Sequence, residues 1–201
     1  MILGGCATAG PASKDVNLLK RIDQALGAVE GQWTFDGPVL VTPNAKFARL
    51  QLGYVPPPEY DLRVVAERVE GGNSIVLGLV YGPRRFMVVV DALYPNETVP
   101  RSGLELIDGK SIPDNETLVN GVQLQNRKRS TIVASVRADS VVVTVDGRKL
   151  IDWKADYQRV GLHVKWKMPH PEALWLGAYT STWRIHELTL VQVTGNGRDL
   201  D

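Results

Sequence analysis

Ile75-Val76-Leu77-Gly78-Leu79-Val80-Tyr81-Gly82-Pro83-Arg84-Arg85-Phe86-Met87-Val88-Val89-Val90-Asp91 is the stretch that decides the fold. Two short apolar runs flank Gly82-Pro83, a pair that turns the chain and cannot continue a hydrogen-bonded ladder. Each run is bounded by turn residues and is too short for a buried helix, so each reads as a strand. Ile75–Val80 and Phe86–Val90 are apolar on both faces, and Val141–Val145 reads the same way. Such strands lie centrally in a sheet, with one face in the main core and the other under loops or partly in a cleft.

Working outward, the same grammar continues. Tyr60 to Glu70 is a long strand that reaches Ile75 through the Gly71-Gly72-Asn73 turn. Pro56-Pro57-Pro58 before it cannot donate to a ladder and marks a stiff loop. Beyond Asp91, the stretch from Ala92 to Ser102 holds Pro95 and Pro100 and reads as a surface excursion. Further strands are expected at Phe47–Leu52, Gly103–Ile107, Arg129–Ala138, Lys149–Trp153, Gly161–Lys165, Leu174–Tyr179 and Trp183–Val193. Trp33-Thr34-Phe35 and Val39-Leu40-Val41 form a hairpin around Asp36-Gly37. Asp36, Asp108 and Asp146 stand beside glycines as turn residues. The total is roughly twelve to fourteen strands with turn signals about every 8–12 residues, the spacing of a β-sandwich or barrel. No βαβ alternation is present, which excludes a parallel α/β sheet.

One segment departs from this rhythm. Val16, Leu19, Ile22 and Leu26 place one apolar stripe on a helix spanning Asp15 to Leu26, capped by Ser13 or Asp15 and ended by Gly27. The expected architecture is an all-β jelly-roll sandwich of two antiparallel sheets with this one short helix as an outer brace. Residues 1–14 form a leader, 15–195 one sandwich domain and 196–201 a tail that frays after Gly195-Asn196-Gly197.

Composition narrows the function. The 201 residues carry 23 Lys+Arg against 22 Asp+Glu, a net charge of +1. That balance argues against a nucleic-acid-binding protein, which concentrates basic charge. A single cysteine, Cys6, excludes an internal disulfide framework and a multi-cysteine zinc site. No apolar run approaches the roughly 20 residues of a membrane-spanning helix. Leu3-Gly4-Gly5-Cys6 is lipobox-like and suggests a lipid tether on Cys6 and an envelope or secreted location. The rival reading is a small-residue leader with an incidental thiol.

The familiar catalytic and cofactor motifs are absent from the sequence. There is no GxGxxG or GxxxxGK phosphate loop, no HExxH, and no GxSxG nucleophile elbow. His163, His170 and His186 lack metal-ligand spacing, and no Asp-rich loop has EF-hand spacing, so neither metal nor cofactor is expected. His163 alternates with Leu162 and Val164 and reads as a surface or rim residue. Asn96-Glu97-Thr98 and Asn115-Glu116-Thr117 read as polar loop residues.

Four stretches carry a family likeness: Glu59 to Leu77, Gly103-Leu104-Glu105-Leu106-Ile107-Asp108-Gly109, Val141 to Arg148, and Ala173-Leu174-Trp175-Leu176-Gly177-Ala178-Tyr179. Together they resemble the concanavalin A-like lectin/glucanase superfamily, and within it domains abundant in planctomycete bacteria. The likeness spans about Val16 to Gly195 and implies a jelly-roll with one concave sheet; fold alone does not assign an activity. More distantly the chain resembles the 3-keto-disaccharide hydrolase family. Gly72-Asn73-Ser74 matches that family's turn and Asp91 its strand. Ile75 and Leu79 replace an expected glycine and arginine, and Phe86 and Val88 replace polar positions. Laminarinase-type members carry Glu-x-Asp-x-x-Glu on one strand; here Glu59-Tyr60-Asp61 begins that string and Val64 fails to complete it. Retaining glycosidases need two carboxylates about 5–5.5 Å apart, so no catalytic residue is assigned.

A sugar site combines an aromatic platform with a few placed polar groups. The candidate ligand-binding patch is Arg63, Glu67, Asp91, His163, Trp166, Trp175 and Tyr179. Trp166, in Lys165-Trp166-Lys167, is the tryptophan expected to lie outside the core, whereas Trp33, Trp153 and Trp183 read as core or sheet-edge packing. Against the patch stand two blander readings. A tryptophan in a sandwich packs in the core more often than it forms a platform. Arg63 and Glu67 can form an ordinary surface ion pair. The expectation is a non-catalytic module that binds a carbohydrate or another envelope ligand. The alternatives are a hydrolase of 3-keto-disaccharides or related glycosides, and a protein-interaction module using exposed edge strands.

Overall fold

The computed structural model describes residues 15–23 and 27–200. Two antiparallel sheets carry the molecule. The first is eight-stranded. Its order is β15 (Arg148–Lys154), β14 (Ser140–Val145), β13 (Arg129–Val136), β7 (Glu59–Gly71), β18 (Ser181–Thr194), β4 (Val39–Val41) and β3 (Thr34–Asp36), with β1 (Asp15–Asn17) also on β18. The second is seven-stranded: β12 (Val119–Asn120), β10 (Arg101–Leu104), β9 (Arg84–Ala92), β8 (Ile75–Tyr81), β17 (Trp175–Ala178), β5 (Ala48–Gln51) and β2 (Ala28–Glu30). Two short pairs complete the set, β11 (Leu106–Ile107) with β16 (Val160–Gly161) and β19 (Arg198–Asp199) with β6 (Tyr54–Val55). The arrangement is a jelly-roll β-sandwich.

The main core lies between the sheets. Leu62 and Val64 of β7, Ile132 and Ala134 of β13, and Val141 and Val143 of β14 meet Leu77 and Leu79 of β8 and Phe86 and Val88 of β9. Tyr60 bridges the sheets: its buried hydroxyl donates to the Val80 carbonyl at 2.9 Å and accepts the Val80 N–H at 3.1 Å. Two-sided burial holds for β8 and β9, where Val76, Met87 and Val89 enter a second apolar cluster on the far side of the seven-stranded sheet. It fails for β14, whose Val142 and Thr144 remain partly exposed.

Three expectations are corrected. The helix at Asp15–Leu26 is instead β1 followed by a 3-10 turn at Leu19–Arg21, although residues 24–26 lie outside the described residues. β18 is a long strand that β4 covers only at Arg184 and Ile185. β1 pairs with it farther along, Val16 opposite Leu190, and so satisfies an otherwise open edge. Leu18 is buried while Val16, Leu19 and Ile22 pack against the core, so the apolar stripe serves a strand and a turn. The strand expected at Gly161–Lys165 stops at Gly161. A 3-10 turn follows at Val164–Trp166, capped by the His163 Nδ1, which accepts the Lys165 N–H. After Gly195 the chain docks as β19 on β6, and the Leu200 N–H donates to the Gly53 carbonyl at 3.1 Å. The lipobox-like Cys6 lies outside the described residues.

Candidate functional site

The structure divides the sequence-derived patch among three places. Arg63 and Glu67 project from the outer face of the eight-stranded sheet, since Leu62, Val64 and Ala66 between and beside them point inward. There Arg63 meets Glu187 at 3.5 Å, and Glu67 meets His186 at 3.3 Å and Arg129 at 3.9 Å. These are pairs on a water-facing sheet, on the opposite side of the sandwich from the aromatic residues, and such pairs contribute at most about 1 kcal/mol each.

Asp91 is a structural residue. Ser102 of β10 stands opposite two residues of β9, Val90 and Asp91, and Asp91 adopts φ 62°. This bulge turns the carboxylate out of the strand's alternation and into the protein. The Ser102 hydroxyl accepts the Asp91 N–H at 3.0 Å. The fully buried Asp91 carboxylate accepts the N–H groups of Gln123 and Leu124 at 2.8 and 3.0 Å and lies 3.4 Å from the Arg68 guanidinium. Arg68, 4% exposed, also donates to Asn126 Oδ1, the Asn73 carbonyl and the Leu124 carbonyl, and stacks over Trp183 at 5.1 Å. Asn73 adds its own ties: Oδ1 accepts the N–H of Ser74 and Leu93, and Nδ2 donates to the Leu93 carbonyl. Burial pushes the Asp91 carboxyl up, and the two N–H groups with Arg68 hold it back. The node joins β7, the turn before β8, β9, β10 and the loop at 121–126.

His163, Trp166, Trp175 and Tyr179 do gather, on the outer face of the seven-stranded sheet. Trp166 is the correction here: it is 6% exposed and stacks on Trp175, centroids 5.7 Å apart. In a 3-10 turn the middle of a polar triplet can face inward while Lys165 and Lys167 face water, which is what their exposure shows. Trp175 is 1% exposed and forms foundation, not platform. It stands opposite Gly78 of β8, and a Cβ at Gly78 would lie 2.0 Å from its ring. A glycine inside a strand here marks the close approach of a ring.

On this foundation sits a pocket of about 270 Å³. Met87 and Val89, the outward residues of β9, are among its lining, with the aromatic rings of Phe47, Trp166 and Tyr179. The Phe47 ring meets Trp166 edge-on at 5.3 Å and Tyr179 at 4.9 Å. Tyr94 and Pro95 of the loop after β9 also line it. Phe86 and Val88, read from sequence as the ligand-facing pair of this strand, face the inter-sheet core instead. Their outward neighbours Met87 and Val89 are equally apolar.

Phe47 holds φ 57°, a left-handed conformation uncommon for a bulky side chain and typical of functional sites when it occurs. The Arg49 guanidinium donates to the carbonyls of both Phe47 and Lys165, so one side chain fixes the relative position of two lining segments. Lys165 Nζ lies 5.1 Å from the Phe47 ring centroid, and His163 lines the same pocket.

The polar group that the sequence reading did not single out is Glu105. It follows Leu104, which enters the core, and by alternation its side chain faces the pocket. Its N–H donates to the Met87 carbonyl at 3.1 Å. Burial pushes its carboxyl up to about 7. A carboxyl raised by folding stabilises the protein fully below its unfolded value and loses that contribution as pH rises through the folded one. Glu105→Gln is therefore expected to melt higher than the parent at pH 8, by about 2–3 kcal/mol or several degrees, and to match it at pH 4. Thermal unfolding at both pH values checks this; an equal difference at both would contradict it.

No protein-family model matches the sequence, and no curated protein matches it. Solved structures do match in fold. The carbohydrate binding module CBM66 from Bacillus subtilis superposes with TM-score 0.57 at 11% identity, covering 82% of this chain and 94% of that one. The exoplasmic/lumenal domain of VIP36, bound to Ca2+ and Man3GlcNAc, gives 0.57 at 13% identity with 83% of each chain covered. The apo Crh5 transglycosylase gives 0.57 at 12% identity, covering 91% of this chain and 86% of that one. What these structures share with this chain is the fold, a jelly-roll β-sandwich of two antiparallel sheets.

Proposed function

We propose that the protein is a non-catalytic carbohydrate-binding β-sandwich whose ligand site is the pocket of Phe47, Trp166, Tyr179 and Glu105. The observation that carries this reading is the pocket itself: aromatic rings for the apolar face of a sugar beside a few polar groups for its hydroxyls. Its 270 Å³ lies at the small end for ligand sites, suited to a short sugar or the end of a chain. The recurrence of carbohydrate-binding domains among the fold's neighbours supports it.

Two rivals have less support. Glu105 is the one carboxylate among the described lining residues, whereas a retaining glycosidase needs two about 5–5.5 Å apart. Asn73 and Asp91, the residues that carry the likeness to 3-keto-disaccharide hydrolases, are both engaged in the buried node. A protein-interaction role through edge strands meets charge at β15, where Arg148, Lys149, Asp152 and Lys154 are exposed and discourage edge-to-edge pairing.

The test is a glycan array followed by calorimetry. Phe47→Asn suits the left-handed backbone and removes the ring, and Tyr179→Ala removes the second ring. Each is expected to weaken sugar binding about tenfold or more while the fold persists. A folded protein that retains no glycan, or that binds one unchanged in both variants, would overturn the reading.

A further inference from the structure

Glu105 stands out because no described side chain pairs with it. Arg101, the nearest guanidinium in sequence, is bound to Glu97 at 2.7 Å and leans over Tyr94 at 5.9 Å. The Tyr94 phenol lies within electrostatic reach of three carboxylates, Glu105, Glu97 and Asp114, against the single cation Arg101. Burial and this surplus of negative charge raise the phenol well above its ordinary value. The pocket interior therefore holds an uncompensated carboxyl beside aromatic rings. Lys165 and His163 also line the pocket, but both are exposed, so water screens them more than it screens Glu105. Lys165 shows in addition that the Phe47 ring accepts an ammonium, since its own Nζ rests over that ring.

We propose that the pocket selects an amine-bearing sugar, with the ligand's ammonium seated at Glu105 and shared with the surrounding aromatic rings. This rests on the carbohydrate-binding reading and names its ligand class. An ammonium supplies the missing counter-charge of this half-buried carboxyl, and a neutral hydroxyl does not. Aromatic faces add attraction for the same cation once water is displaced. Lys165 acts as a competitor, occupying the Phe47 ring until a ligand amine replaces it.

The experiment is calorimetric titration of the full chain at pH 7 with glucosamine and galactosamine, against glucose, galactose and N-acetylglucosamine. The free amines are expected to bind about tenfold tighter than their neutral counterparts. Glu105→Gln is expected to erase that preference, bringing each amine to within about twofold of its neutral counterpart. Lys165→Met is expected to tighten the amines about two- to fivefold by removing the competitor. Equal binding of amine and neutral sugars, or a preference that survives Glu105→Gln, overturns the amine inference and leaves the carbohydrate reading standing. No binding by any of the five sugars or on a glycan array overturns both.

Discussion

Asp91→Ala is expected to cost about 3–5 kcal/mol, the largest loss of any single substitution considered, because it strands a buried cation. Arg68 is 4% exposed and would keep its charge without its carboxylate. The N–H groups of Gln123 and Leu124 would lose their acceptors in the same step. For a chain of this length the loss corresponds to a fall in melting temperature of roughly 10 °C or more. Arg68→Met removes the charge but strands the carbonyls of Asn73 and Leu124 and the Asn126 amide oxygen. The double substitution is expected to cost less than the two single losses added, since partners in one network do not contribute independently. Strict additivity in thermal or denaturant unfolding would show that the node is not a coupled unit.

Gly78→Ala is expected to destabilise by about 1–3 kcal/mol and to disable the pocket together with the fold's second apolar cluster. The added Cβ would lie 2.0 Å from the Trp175 ring, a distance that forces the indole off the sheet. Trp166 stacks on Trp175, and Phe47 packs against Trp166, so the displacement travels through two ring contacts to the pocket wall. Gly177 supports the same stack, with a Cβ there meeting Trp166 at 2.9 Å and Trp175 at 3.0 Å. Loss of ligand binding in Gly78→Ala with unfolding unchanged, or the reverse, would break the proposed link between foundation and site.

Most of the ladder was legible because period-2 alternation and Gly- or Pro-marked turns report directly on strands. β8 and β9 were recognised as two-sided, and the second apolar cluster is the physical reason both faces are apolar. The N-terminal stripe was misread because residues three apart also satisfy a strand followed by a 3-10 turn. What decided it was the open edge of β18, a tertiary partner no local pattern reveals.

The site was legible only in part. Tyr179 and His163 line the pocket, and Trp166 lines it as a buried wall rather than an exposed platform. The two lysines flanking Trp166 suggest exposure, yet neighbours in a 3-10 turn point about 120° apart, so the indole faces inward while both lysines face water. Asp91 enters the candidate patch through its match to the hydrolase family's strand, and no local pattern reveals the bulge opposite Ser102 that turns its carboxylate inward. Arg63 and Glu67 share a strand with the buried Arg68 but face water on the far sheet. Glu105 carried a readable signal, a lone acid between leucines, that becomes meaningful only once Met87 is known to face outward beside it.

The most direct test of the account is a nitrogen-15 chemical-shift titration with the tightest sugar from the array. Binding in the pocket predicts that the largest shifts fall on Phe47, Glu105, Lys165, Tyr179 and the Trp166 indole N–H. Shifts concentrated instead around Arg63, Glu67 and His186, on the outer face of the eight-stranded sheet, would contradict it and move the site to the other side of the sandwich.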